Sequence, residues 1–214
     1  MNVEAVIWDF GGVFTTSPLE AFARYERERG APKGLISRIN TTNEHGNAWA
    51  QFERAEIDVE RFDALFLEES TAAGFAIRGR DVLPLLSGTL RPRMVEALKA
   101  CKQRFKVGCI TNNMASAHSP GDSAASRGAT VFGEVIGLFD ALIESSKAGV
   151  RKPDPKIYLM MCDLLGVKPQ ACVYLDDLGI NCKPAAQLGM RAIKVVSEDQ
   201  ALADLAQATG LTLA

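Results

Sequence analysis

The apolar positions of the chain follow two spacings that alternate along most of its length. Residues 3–8 form a short run of β-favouring side chains ending at Asp9, which is typical of a buried strand. Residues 94–101 are apolar at helical spacing, and residues 107–110 form the next apolar run. The pattern then predicts strands at 141–143, 171–175 and 192–196 and helices at 155–165 and 184–188. This alternation predicts an α/β fold with a Rossmann-like, doubly wound parallel sheet.

The segment between the first strand and residue 88 has a different character. It lacks strand patterns and contains amphipathic helical stretches at 20–29 and 59–70, separated by glycines and Pro32. We therefore predict a core formed by residues 1–16 and 87–214, with a small helical domain inserted at 17–86. Its large aromatic residues are expected to pack in its interior: Trp49, Phe52, Phe62 and Phe66.

Composition narrows the possible partners. Hydrophobic residues make up 47% of the 214-residue chain, enough to form a substantial core. The 24 Lys and Arg residues against 26 Asp and Glu give no basic excess that would favour nucleic acid. The start of the chain does not resemble a signal peptide, and no run approaches the roughly 18 apolar residues of a membrane helix. We expect a cytoplasmic protein whose five scattered cysteines are reduced structural residues.

The candidate chemistry lies directly after the predicted strands. In open α/β sheets, ligands bind beyond the carboxyl ends of the strands, where this chain has Asp9, Thr111, Asn112, Asp176 and Asp177. Carboxylate oxygens suit Mg²⁺, and an aspartate beside a divalent cation can attack phosphorus or carbon. Gly11 and Gly12 would allow the backbone to approach a ligand closely.

Two further side chains complete this candidate site. Thr111 can hydrogen-bond a phosphoryl oxygen, and the ammonium of Lys152 can neutralise charge on the nucleophile and the substrate. Pro153 and Pro155 are expected to stiffen the Lys152 loop, whereas Arg151 is predicted to be solvated. Asn112 is interpreted as a substrate or backbone contact, and Asn181 and Lys183 are expected to support the loop after Asp177.

Four segments in this order, WDFGGVF, CITNN, RKPDP and YLDDLGIN, resemble the four motifs of the haloacid dehalogenase superfamily. Longer stretches, IESSKAGVRKPDPKIY and VYLDDLGINCKPAAQLGM, are similar to the amino-terminal phosphatase domain of soluble epoxide hydrolase and to that of certain acyl-CoA dehydrogenases. The resemblance implies a Mg²⁺-dependent hydrolase in which the insert at 17–86 is a cap over the active site. It assigns the nucleophile to Asp9, the other catalytic groups to Thr111 and Lys152, and the metal to Asp9, the Gly11 carbonyl, Asp177 and the neighbouring Asp176.

The resemblance fails at Gly11, where phosphatases of this superfamily normally carry a second aspartate that acts as general acid and base. The leading hypothesis is a phosphatase that acts on a small phosphorylated metabolite through an aspartyl-phosphate on Asp9. The alternatives are a dehalogenase-type hydrolase and a catalytically weak phosphate- and metal-binding module. His45 and His118 are candidates to replace the missing acid, although solvated loop positions are favoured for both. Neither the substrate nor the oligomeric state follows from the sequence.

Overall fold

Five parallel strands form a single sheet at the centre of the protein, in the order β3-β2-β1-β4-β5. The computed structural model describes residues 2–86, 88–112 and 132–213. The strands are β1 (Ala5–Trp8), β2 (Lys106–Thr111), β3 (Ala141–Glu144), β4 (Cys172–Asp176) and β5 (Arg191–Lys194). The prediction of a parallel sheet is confirmed, and β1 lies in the middle with all four residues buried.

Helices cover both faces of this sheet, as expected of a doubly wound fold. The helices whose bounds lie within the described residues are α1 (Pro18–Arg29), α2 (Leu35–Thr41), α3 (Ala48–Glu53), α4 (Val59–Ala72), α5 (Gly79–Val82), α6 (Pro92–Lys102), α7 (Ser145–Ala148), α8 (Pro155–Leu165), α9 (Gly179–Gln187) and α10 (Glu198–Thr209). Short 3₁₀ turns occupy Leu83–Leu86 and Pro169–Ala171. Helices α6 and α10 pack on one face of the sheet, and α8 and α9 on the other.

Helices α1 to α5 surround an apolar cluster of their own. The aromatic residues expected in that interior are buried there, with Trp49 and Phe52 both packed against Phe62. Helix α1 starts sharply because Ser17 caps it ahead of Pro18, and it ends at Gly30, whose backbone is left-handed. The chain enters and leaves this helical segment side by side, through a bridge between Thr15 and Leu90.

The structure extends the predicted helices in several places. Helix α9 begins at Gly179 rather than at Pro184, which lies inside it, and α2, α3, α5, α7 and α10 were not predicted. All five cysteines are buried and free of disulfides, with Cys109 and Cys172 inside strands as expected. Within the part of the chain that the structure describes, no helix is long and apolar enough to cross a membrane.

Candidate active site

The centre of the site is Lys152, whose ammonium lies between two aspartates at the carboxyl edge of the sheet. Its Nζ is 2.7 Å from Asp9 Oδ1 and 2.9 Å from Asp176 Oδ2. Asp9 and Asp176 follow Trp8 and Leu175, which are paired in register on adjacent strands. The lysine side chain is only 1% exposed, and burial alone would lower its pKa. Asp176 and Asp9 outweigh this effect, so the pKa of Lys152 is raised. The lysine is therefore a permanently charged bridge.

Asp176 accepts hydrogen bonds at both of its carboxylate oxygens. Its Oδ2 accepts hydrogen bonds from Tyr174 Oη at 2.5 Å and from Lys152, and its Oδ1 accepts from the Leu178 amide at 2.8 Å. Asn181 Nδ2 lies 3.1 Å from both oxygens, in the support role expected for it, whereas Lys183 is exposed. These contacts occupy both oxygens of Asp176. Its side chain is therefore better suited to orient Lys152 than to bind a ligand.

Asp177 completes an acidic group with Asp9 and Asp176, in which one carboxylate oxygen from each lies within 4.8 Å of the others. Burial raises the pKa of Asp9 to about 8, opposed by Lys152 and reinforced by the other two aspartates. Burial and Asp176 likewise raise the pKa of Asp177 to about 6, although Ser17 Oγ donates a hydrogen bond to its Oδ2 at 2.9 Å. Within this group, Asp9 and Asp177 offer carboxylate oxygens beside Asp176 and its ammonium partner, and such hard oxygen donors fit a divalent cation.

The loop after Asp9 is shaped by Gly12. This glycine has a φ of 72°, and a Cβ built on it would overlap the carboxylate of Asp177. Its carbonyl accepts a hydrogen bond from Arg91 Nη1 at 2.9 Å, and its amide donates to Thr15 Oγ1 at 3.2 Å. Gly11 differs, because a Cβ at that position would meet no atom of the described residues within 4 Å. Gly12 is therefore required by the fold of the loop, whereas none of the described residues requires a glycine at position 11.

This difference predicts unequal effects of two matched substitutions. Gly12→Ala places a side chain on left-handed backbone and against Asp177, so we expect it to lower the free energy of unfolding by about 2 kcal/mol or more. Gly11→Ala is the control and is expected to change it by less than about 0.5 kcal/mol. Urea unfolding of both variants measures the difference. Equal stabilities would contradict this account of the loop.

Thr111 and Asn112 take different positions at the end of β2. Thr111 lies two residues beyond Cys109, the partner of Trp8, so it reaches past the end of β1 on the ligand side of the sheet. Asn112 exchanges two hydrogen bonds with the backbone of Lys152: its Oδ1 accepts from the lysine amide at 2.9 Å, and its Nδ2 donates to the lysine carbonyl at 3.0 Å. Asn112 thus contacts backbone, and it fixes the Lys152 loop.

The prediction that Arg151 is solvated is wrong. Its side chain is only 13% exposed, and its Nε lies 2.5 Å from Oε2 of Glu53, at the end of α3. Lys152 points into the site while Arg151 turns toward the helical segment, where a buried carboxylate faces it. The sequence offered no signal for this pair, nor for the contacts of Ser17 and Tyr174, which resemble an ordinary helix cap and a strand residue.

Of the two candidate histidines, His45 lies within the described residues. The His45 side chain is 76% exposed, and its Nε2 lies 3.9 Å from Glu44 Oε1, so it has the solvated position favoured for it. His118 lies outside the described residues.

Comparison with known proteins decides the family. The family model of haloacid dehalogenase-like hydrolases matches residues 3–189. The chain belongs to this family. This haloacid dehalogenase-like hydrolase is 31% identical over 228 residues to bifunctional epoxide hydrolase 2 of Sus scrofa. The match covers 100% of this chain and 40% of that protein. It is 29% identical over 222 residues to acyl-CoA dehydrogenase family member 10 of Mus musculus, covering 99% of this chain and 20% of that protein.

The chain of this haloacid dehalogenase-like hydrolase thus spans well under half the length of these two relatives. Proteins named as phosphatases also match, over shorter stretches. Among solved structures, the family enzyme BT-2542 of Bacteroides thetaiotaomicron, in complex with magnesium and inorganic phosphate, superposes with a TM-score of 0.58 at 16% identity, covering 92% of this chain and 96% of that one. These matches confirm the predicted family, the enzyme class and the fold.

Proposed function

We propose that this hydrolase is a Mg²⁺-dependent phosphatase that acts on a small phosphorylated metabolite through an aspartyl-phosphate on Asp9. The observation that carries the proposal is the position of the Lys152 ammonium, within hydrogen-bond distance of both Asp9 and Asp176 at the sheet edge. A buried cation beside a nucleophilic carboxylate offsets the negative charge of an approaching phosphate. The small-molecule substrate and a cytoplasmic location belong to the same proposal.

The residues of the site divide the work. An oxygen of Asp9 attacks phosphorus as the bond to the leaving oxygen breaks, and the leaving oxygen takes a proton from solvent. Water then attacks phosphorus and loses a proton to solvent, which releases phosphate and restores the carboxylate. Lys152 neutralises charge, the Thr111 hydroxyl donates to a phosphoryl oxygen, and Asn112 holds the Lys152 loop and borders the substrate. Gly11 and Gly12 keep the loop beside Asp9 free of side chains, so that the backbone can approach the substrate.

The cluster of Asp9, Asp176 and Asp177 provides oxygen donors that fit a divalent cation. Asp9, Asp177 and the carbonyl of Gly11 would hold Mg²⁺, with Asp176 beside them fixing the lysine. The cation would supply charge neutralisation during phosphoryl transfer. Residues 17–86 would form the cap, which excludes water from the reaction and selects the substrate.

Gly11 supports a second candidate function. It brings no carboxyl group to the place where a leaving oxygen would need a proton, which favours a reaction whose leaving group departs as an anion, such as halide. A phosphate-binding module that has lost efficient turnover would fit the same feature. We rank both below the phosphatase, because the residues flanking Asp9 differ from those of haloacid dehalogenases, which do not require Mg²⁺.

The test is phosphate release from an aryl phosphate and a panel of sugar and lipid phosphates, with Mg²⁺ or with EDTA. Release that requires Mg²⁺ is expected and would support the proposal. Halide release from 2-haloacids that persists in EDTA, without phosphate release, would favour the dehalogenase. Phosphate binding without release of either product would favour the binding module.

A further inference from the structure

A buried ion pair joins the helical segment to the Lys152 loop. Arg151 Nε lies 2.5 Å from Glu53 Oε2, and the two side chains are 13% and 7% exposed. Trp49 Nε1 donates to the other carboxylate oxygen of Glu53 at 3.0 Å, which fixes the orientation of the carboxylate. Arg151 Nη1 also donates to the carbonyl of Glu44 at 2.8 Å. The guanidinium therefore has two contacts with the chain around α3: an ion pair with Glu53 and a hydrogen bond to the backbone of Glu44.

A second contact joins the same two segments. Ser145 Oγ, at the start of α7, donates to the backbone carbonyl of Glu53 at 2.7 Å. The carbonyls at the carboxyl end of a helix lack partners within the helix, so this bond provides one for α3 from the core. Residues 145–151 thus contact the end of α3 twice at Glu53: Ser145 binds its backbone carbonyl, and Arg151 pairs with its side chain.

The other side of the loop is held by the core. Asn112 binds the amide and the carbonyl of Lys152, and the ammonium of Lys152 lies between Asp9 and Asp176. Arg151 is the next residue along the chain, and its side chain is fixed in the opposite direction by Glu53. The backbone that carries the lysine is therefore held from both sides, by the core and by the helical segment.

We propose that Glu53 is a positioning residue for the reaction: acting through Arg151, it holds Lys152 in place between Asp9 and Asp176. This inference rests on the proposed function, and it makes the helical segment part of the catalytic apparatus as well as a cover. Removing Glu53 would leave the buried charge of Arg151 without its carboxylate. The arginine would then leave its position, and the Lys152 loop would become less ordered. A shift of about 1 Å in a catalytic group can cost about a hundredfold in rate.

The experiment compares Glu53→Gln with Glu56→Gln as the matched control. Glu56 also pairs with an arginine of the helical segment, Arg54, but its side chain is 49% exposed and its hydrogen bonds go to Arg54 rather than to the Lys152 loop. We expect Glu53→Gln to lower kcat by about tenfold or more with KM changed less than about twofold. Glu56→Gln should leave both unchanged.

A neutral double variant separates positioning from stability. Glu53→Gln with Arg151→Met removes both charges, so thermal stability should recover relative to the single variant. If Glu53 positions Lys152, kcat stays low in the double variant. Recovery of kcat together with stability would reveal a purely structural pair and overturn the proposal.

Hydrogen exchange at the Lys152 amide, which donates to Asn112, provides a readout that does not depend on turnover. We expect exchange to accelerate about tenfold or more in Glu53→Gln, with the amides of α8 unchanged and Glu56→Gln matching wild type. Unchanged exchange at Lys152 would overturn the inference. If wild-type protein released no phosphate from any substrate while exchange still accelerated, the proposed function would fail and the positioning role would stand.

Discussion

Asp9→Asn is expected to reduce phosphate release at least a thousandfold, to background in most assays. The amide oxygen of asparagine is a poor nucleophile, so the covalent intermediate would not form. The side chain keeps its size, and its oxygen can still accept the hydrogen bond that the Phe10 amide donates to Asp9 at 2.7 Å. The measurement is kcat/KM on the best substrate of the panel, at saturating Mg²⁺.

The fold should tolerate this change. Burial and two neighbouring carboxylates raise the pKa of Asp9, so its charged form is held against an unfavourable environment. A neutral side chain relieves that repulsion, and Lys152 keeps its ion pair with Asp176 at 2.9 Å, so we expect the melting temperature to be equal or higher. The control is Asp154→Asn, at the exposed N-cap of α8, which should retain full activity. An Asp9→Asn variant with a tenth or more of the wild-type rate would rule out Asp9 as nucleophile.

The carboxyl edge of the sheet could be predicted because its arrangement follows from local patterns and one topological rule. Each strand is a short apolar run, and parallel pairing brings the residues that follow the runs together. Asp9 and Asp176 meet for this reason, as the register of Trp8 with Leu175 requires. Lys152 was harder to place, because it lies in a loop between elements, and it was assigned through the resemblance of its motif.

The pair formed by Arg151 and Glu53 could not be predicted in this way. The two residues are far apart in the chain, and their contact depends on how the helical segment packs on the core. A charged residue beside a lysine is most often solvated, so its local pattern suggested the wrong environment. Helix α9 illustrates a different limit: proline commonly opens a helix, yet Pro184 lies inside one, where tertiary packing overrides that preference.

Gly11→Asp is expected to raise the rate of phosphomonoester hydrolysis by about a hundredfold, the lower range of what a general acid contributes. An alkoxide is a poor leaving group, and a carboxyl group near Asp9 would protonate the oxygen as its bond to phosphorus breaks. The described part of the chain leaves room for the side chain, since a Cβ at this position meets none of its atoms within 4 Å. The measurement is kcat for an alkyl phosphate and for an activated aryl phosphate.

The gain should depend on the leaving group, and that dependence is the decisive control. An aryl oxide with a low pKa departs without a proton, so Gly11→Asp should accelerate the alkyl phosphate far more than the aryl one. Gly11→Asn adds the same volume without a transferable proton and should produce no gain. Equal rates for Gly11→Asp and Gly11→Asn on the alkyl phosphate would show that the missing carboxyl does not limit catalysis. The low-turnover binding module would then gain weight over a slow phosphatase, because the site would lack more than one proton donor.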